Sequence, residues 1–310
     1  MNLIAKENPA ERTAKGCSPR IQAFEFGDQS WFRGVWREAY LDGMNFMLWV
    51  GGVYRRMFQP YARWARRAGG HVVLDLASGG GRPIHTLVTE ARKNNVPLPR
   101  IILSDLHPDL DAYARIAAAH PDEVSFVNAP VDATAPGQPE ARLFSICTAF
   151  HHFPPDRARQ LIANAARNGD GIFIQEIFVR HWLSTLLSVC NLIPLMLSPF
   201  FSRRISLFKI LITTVIPIIP FMLMFDGVVS VFRTYRLEEI MAMVPQELRR
   251  EWRWETGSCH YLGFLGAPYV CGYRPRVGFA ANPDDVESPE LASESAATES
   301  AMGQTVLNHG

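Results

Sequence analysis

VVLDLASGGGRP, residues 72–83, is the stretch whose reading decides the fold. An aliphatic run carrying one carboxylate, Asp75, leads directly into three glycines. Glycine at such a place lets the backbone turn tightly or be approached closely. The run itself, 72–77, reads as a buried strand, and PIHTLVTEARKNN (83–95) as a helix with Pro83 in its first turn. The same texture repeats downstream. RIILSDL (100–106), VSFVNAPV (124–131), LFSICTAFHHF (143–153) and GIFIQEI (171–177) read as strands, with helices at 108–120 and 155–168 between them. Alternation at this spacing implies an α/β fold: a mostly parallel, Rossmann-like sheet with helices on both faces. In such sheets ligands bind beyond the carboxyl ends of the strands, so the residues just after each strand are the ones to inspect.

Two cofactor loops compete for the glycines. A nicotinamide loop wants G-x-G-x-x-G entering a helix. From Ala77 the corresponding positions are Ala77, Gly79 and Arg82, so the third small residue is missing. The other pattern is acidic-x-Gly-x-Gly-x-Gly with the acid on the strand itself. Here it runs from Asp75 through Ala77 and Ser78 to Gly79 and Gly81, with alanine for the first glycine. Taken singly, Asp105 also suits a helix N-cap and Asp132 a turn.

Residues 72–177 resemble the cofactor half of class I S-adenosylmethionine-dependent methyltransferases, with Asp75-Leu76-Ala77-Ser78-Gly79-Gly80-Gly81, Asp105 in IILSDLHP, Asp132 in APVDAT and TAFHHF (148–153) in order. The resemblance implies S-adenosyl-L-methionine as cofactor. It makes Asp75, Ala77, Ser78, Gly79 and Gly81 the loop around the methionine part. Asp105 and Leu106 would hold the ribose, Asp132 and Ala133 the adenine, and Thr148 would stand at the end of the fourth strand. A carboxylate near a sulfonium is favourable, whereas it would repel a pyrophosphate. Ser145 departs from the family, many members of which have an aspartate there.

His151 and His152 end the fourth strand, and Glu176 ends the fifth. These three are the catalytic candidates. One reading makes a histidine the base that takes a proton from the acceptor. The other packs one ring under the sheet and lines the pocket with the second, leaving rate to positioning. The residues favour the second. Glu176 would orient an acceptor or pair with an arginine. No Cys/His/acid run has metal-ligand spacing, so metal independence is expected. The five cysteines are odd in number and scattered, which argues against a disulfide framework and for a reduced compartment.

Outside this core, residues 1–20 are polar and read as flexible, without the apolar stretch of a signal peptide. Residues 21–70 read as a helical cap in which Trp31, Phe32, Trp36 and Tyr40 would wall an acceptor pocket. FEFGDQSWFRGVWRE (24–38) partly resembles a segment of an uncharacterised methyltransferase subgroup. The core then covers 71–180, an apolar hairpin insert 181–226, the remaining core 227–276, and an acidic tail 277–310 reads as disordered. The insert has three readings: a spanning hairpin, a shallow hairpin on a membrane surface, or a hairpin covered by protein, in a homodimer or over the active site. The shallow form is preferred, with Arg203, Arg204 and Lys209 meeting anionic headgroups at the cytoplasmic face. A net charge of +1 with scattered basic pairs gives no sign of nucleic-acid binding. The expected activity is methyl transfer to a small, lipophilic acceptor. A nicotinamide-dependent oxidoreductase and a membrane-associated pseudoenzyme acting as an interaction module are the alternatives.

Overall fold

A computed structural model describes residues 19–29, 31–135, 141–202, 205–261 and 265–275. The flexible start expected for 1–20 (apart from 19 and 20), the acidic tail 277–310, and Arg203 and Arg204 lie outside the described residues. Seven strands form one sheet in the order β3-β2-β1-β4-β5-β7-β6. They are β1 Val72–Asp75, β2 Arg100–Leu103, β3 Val124–Phe126, β4 Leu143–Cys147, β5 Gly171–Gln175, β6 Arg253–Tyr261 and β7 Leu265–Tyr273. β1 to β5 pair in parallel, and β7 runs antiparallel between β5 and β6. Each central strand stops earlier than the apolar run that announces it. The remaining residues leave the sheet as the loops and short turns that build the site.

The helices are α1 Gly34–Gly51, α2 Phe58–Ala68, α3 Arg82–Lys93, α4 Leu110–Ala119, α5 Pro155–Asn168, α6 Trp182–Cys190, α7 Leu192–Leu195, α8 Leu207–Ile210, α9 Ile218–Arg233, α10 Leu237–Met243 and α11 Gln246–Glu251. Alternating strand residues feed two cores. Val73, Ile101, Leu143 and Phe173 pack against α2, α3 and α4, while Leu74, Ile102, Phe144 and Ile172 pack against α5 and α10. Trp64 and Tyr61 of α2 are fully buried against Phe173, each such side chain contributing about 1.5–3 kcal/mol. The cap ends where glycine was expected to end it. Gly69 closes α2 in the left-handed region at φ +65°.

One expectation is corrected in the insert, and the boundary drawn at Asp226 falls inside a helix, since α9 runs through Asp226-Gly227. The Asp226 carboxylate instead leaves the helix to bind the cap, accepting from Tyr40 Oη (2.6 Å) and from the backbone N–H of Phe26 and Gly27 (2.9 Å each). Lys209 does not face headgroups. It is buried, and its Nζ lies 2.8 Å from Asp42 and 3.4 Å from Glu38 of α1. A buried ammonium needs such partners, and α1 supplies them. Thr234 likewise closes α9, and α10 starts at Leu237 with Glu239 accepting from Arg236 N. Among the described residues no single helix is long and apolar enough to cross a membrane. One pair, Leu207–Val215 with Ile218–Arg233, has the length and composition but bends by 59°.

Removing the latch should loosen cap and insert together. Asp226→Ala leaves a buried phenol and two backbone N–H groups without their acceptor, so unfolding free energy should fall by about 2–4 kcal/mol in chemical denaturation. An unchanged midpoint would contradict the latch.

Candidate active site

The strand order reverses between β1 and β4, and the chain is strained on both sides of that point. Of the three described non-glycine residues with positive φ, Ala77 (+52°) follows β1 and Thr148 (+57°) follows β4. A β-branched residue in the left-handed region is a genuine outlier, and such strain gathers at functional sites. Thr148 is held there by its N–H to Gln175 O (2.7 Å) and by Tyr54 Oη, which donates to its Oγ1 at 3.0 Å. Ala77 keeps the backbone form that glycine would take freely, so the alanine departure costs strain without changing the loop.

Beneath the loop lies Asp75, 1% exposed. Ser145 Oγ donates to its Oδ1 (2.6 Å), Ser78 Oγ to its Oδ2 (2.7 Å), and Tyr61 Oη in turn to Ser145 (3.1 Å). Burial pushes the Asp75 carboxyl up to about 7, against the pull of these hydroxyls and with help from the nearby Asp105 charge. The serine at 145 is thereby explained. An aspartate there would set a second carboxylate against a buried first one, whereas the hydroxyl donates to it.

Three of the loop amides are already used. Ser78 N–H donates to Ser104 O (2.9 Å), Gly79 N–H to Asp105 Oδ2 (2.8 Å) and Gly81 N–H to Ser78 O (2.7 Å). The three glycines divide their work. A Cβ on Gly81 would lie 2.7 Å from Ile116 Cδ1, so this residue serves helix packing at φ +70°. A Cβ on Gly79 or Gly80 would meet nothing within 4 Å, so these face open space.

Asp105 is fixed by two backbone donors, Gly79 N on Oδ2 and His107 N on Oδ1 (2.8 Å), which leaves one lone pair on each oxygen. That is the acceptor pattern of a vicinal diol. Leu106 beside it is 52% exposed, an apolar side chain at the mouth of the site. Asp132 is more committed. Its Oδ1 takes Thr134 N and Oγ1 (2.8 and 2.7 Å), and both oxygens bind Arg157. Ala133 is buried in the core beside it.

His151 and Glu176 form a buried pair, 4% and 2% exposed. Glu176 accepts the His151 backbone N–H on Oε1 and lies 2.7 Å from ring Nδ1 through Oε2. With Nδ1–H donating to the carboxylate, Nε2 is the free nitrogen. His152 sits elsewhere in role: its Nδ1 is 2.9 Å from Asp28 and 3.6 Å from Glu25. Burial would raise Asp28, but the hydrogen bonds and charges of His152 and Arg233 outweigh it and hold the carboxyl at about 2.

Contrary to the sequence spacing, Glu25, His151 and His152 bring one ligand atom each within 4.8 Å of one another. A cation is already present: the Arg233 guanidinium lies 3.1 Å from Glu25 and 3.3 Å from His152 Nδ1. Arg20 lies in no motif read from the sequence. Arg20 nevertheless binds the carbonyls of His151 and Phe153 and lies over Tyr235. Of the four expected pocket aromatics, Phe32 and Tyr40 pack inward on Ile212 and Ile219. Trp31 and Trp36 are exposed at 64% and 36%.

The strained loop at the switch point, the acids after β2 and β3 and the buried histidine after β4 all follow the carboxyl ends of parallel strands. The sheet is the expected mostly parallel, Rossmann-like one, with β7 antiparallel. No protein-family model and no curated protein matches the chain. Among solved structures it is similar to an O-methyltransferase family protein from Burkholderia thailandensis, at 16% identity and a TM-score of 0.49. That match covers 83% of this chain and 65% of that one, so the chain spans less than two thirds of its length. It is also similar to the magnesium protoporphyrin IX methyltransferase of Synechocystis with bound SAH, at 13% identity and a TM-score of 0.43, covering 80% of this chain and 90% of that one. A third similarity is to OxaC in complex with SAH and oxaline, at 13% identity and a TM-score of 0.42, covering 70% and 46%.

The Asp75 arrangement has a pH signature. A carboxyl raised from 3.8 to about 7 on folding contributes stability that is complete below 3.8 and lost as pH rises through about 7. Asp75→Asn removes that loss. Between about pH 4 and 7.5 the wild type should fall relative to the variant by on the order of 4 kcal/mol in denaturant titrations. Parallel profiles would contradict a neutral, buried Asp75.

Proposed function

We propose that the chain is an S-adenosylmethionine-dependent methyltransferase acting on a small, lipophilic acceptor. The observation that carries the cofactor is how the loop spends its amides. A pyrophosphate needs free N–H groups at such a loop. Here those of Ser78, Gly79 and Gly81 are bonded within the protein, one of them to a carboxylate. A buried acid under the loop and a second at its edge favour a cationic nucleoside and disfavour a dinucleotide. This argues against the oxidoreductase alternative.

The residues fit the cofactor. Gly79 and Gly80 leave room against it, Asp105 offers the two acceptors a ribose diol requires, and exposed Leu106 offers an apolar face to a base. Asp132 can add only its remaining Oδ2 lone pair. When bound, the cofactor supplies an electrophilic methyl whose bond to sulfur breaks as the acceptor's lone pair bonds to carbon, the sulfur keeping the electron pair. His151 Nε2 takes the proton that the acceptor loses. Glu176 holds the ring through Nδ1 and the backbone through the same carboxylate, so the base is oriented before the acceptor arrives. His152, held by Asp28 and beside Arg233, ties residues 20–28 over the site. The lipophilic character of the acceptor is supported by the apolar cap and insert joined to the site through Glu25, Asp28 and Arg233.

His151→Ala should lower kcat by about 10²–10⁴-fold, measured as transfer of labelled methyl to an extract acceptor, with the affinity for S-adenosylhomocysteine unchanged. Near-wild-type turnover would remove His151 as the base. Gly80→Leu places a side chain in the open space of the loop without meeting the positive φ of Gly79. It should abolish S-adenosylhomocysteine binding while circular dichroism stays native, and unchanged affinity would contradict the placement.

A further inference from the structure

The outer face of the insert is chemically uniform. Between 182 and 225 sixteen described residues are exposed apolar side chains, from Ile218 at 38% to Leu207 at 87%. The one other exposed described residue there is Cys190. At these exposures the sixteen side chains together leave on the order of 1,000 Å² of apolar surface in the open. It continues onto α1, where Trp36 packs edge-on to Phe208 and Trp49 tilts against Phe201, with 36% and 52% of the two tryptophans exposed.

What is missing from this face identifies its occupant. Several polar groups of the insert bond within the protein. Ser188 donates to Ser184 O, Thr214 to Met196 O, and Ser202 to Asp42, while Ser206 accepts from Lys209 N. Lys209 itself is buried on Asp42 and Glu38. A protein partner, including a second copy of this chain, needs a polar rim and about one hydrogen bond per 100–200 Å². No described exposed residue of the insert offers one. Hydrocarbon asks for none. No single described helix is long and apolar enough to cross: α6 and α7 together end at Leu195, and the longer pair, which has the length and composition, breaks by 59° at Ile216–Pro217.

We propose that this face seats in the acyl region of one leaflet of a bilayer, with Trp36, Trp49 and Trp182 at its margin, and that the protein docks without spanning. Tryptophan suits the water–hydrocarbon boundary, and an apolar face lying in the interface needs no charged contact for its adhesion. Docking is independent of whether the site transfers a methyl, and its test reads no activity. If the site reading also holds, the surface brings the site to acceptors dissolved in the leaflet.

The full-length protein should sediment with vesicles of phosphatidylcholine alone, equally at 0.1 and 1 M NaCl. The double variant Leu207→Glu, Val215→Glu alters two of the most exposed positions, 87% and 66%. It should keep its circular dichroism and thermal midpoint while its vesicle partition falls at least tenfold. Protein that stays in the supernatant would overturn the proposal, as would a double variant that sediments like the wild type. Sedimentation confined to vesicles containing phosphatidylserine and lost at 1 M NaCl would replace it with an electrostatic contact. A vesicle-free dimer by light scattering that the double variant converts to monomer would make a second copy the occupant.

Discussion

The site depends on one buried carboxylate. Asp75 is held by Ser78 from the loop and Ser145 from β4, and Ser145 is in turn held by Tyr61 from the cap. Three segments far apart in sequence, at 61, 75–78 and 145, are therefore joined at one side chain where the sheet reverses. An unpaired acid there would be expensive. With its hydroxyl partners and a carboxyl raised to about 7, it can be neutral in the free protein and can become charged beside a cation. The same group thus fixes the shape of the loop and suits a sulfonium.

A second set of polar contacts joins cap, insert and site. Asp226 holds Tyr40 and the turn at Phe26–Asp28, and Arg233 from the same helix holds Glu25 and Asp28, which face His152. Burial raises Glu25 against the pull of His152 and Arg233. The segment whose Arg20 binds the His151 carbonyl is thus anchored to α9. Ile218, Phe221 and Phe225 of the same helix belong to the exposed apolar side chains of the insert.

The sheet and the acids at strand ends were legible because both are local. Alternating aliphatic runs announce strands, and Asp75, Asp105 and Asp132 each stand within a few residues of a strand they follow or end. What escaped was non-local. The partners of Asp226 lie about 200 residues away, so its place in an apolar run looked like a boundary although the helix continues through it. Lys209 looked like a surface cation because Asp42, its partner, is 167 residues distant. The strain at Thr148 leaves no mark in the sequence, since a left-handed threonine is spelled like any other. The separation of His151 from His152 is decided by which acid faces each ring, and adjacent identical residues cannot signal that.

The central claim is that the loop at the switch point accepts a sulfonium nucleoside and not a dinucleotide. Calorimetric titration of the unmodified protein with S-adenosylhomocysteine and, separately, with NADPH tests it most directly. The account predicts saturable, one-site binding of S-adenosylhomocysteine and no measurable heat with NADPH. Saturable NADPH binding, or no binding of S-adenosylhomocysteine, would contradict it.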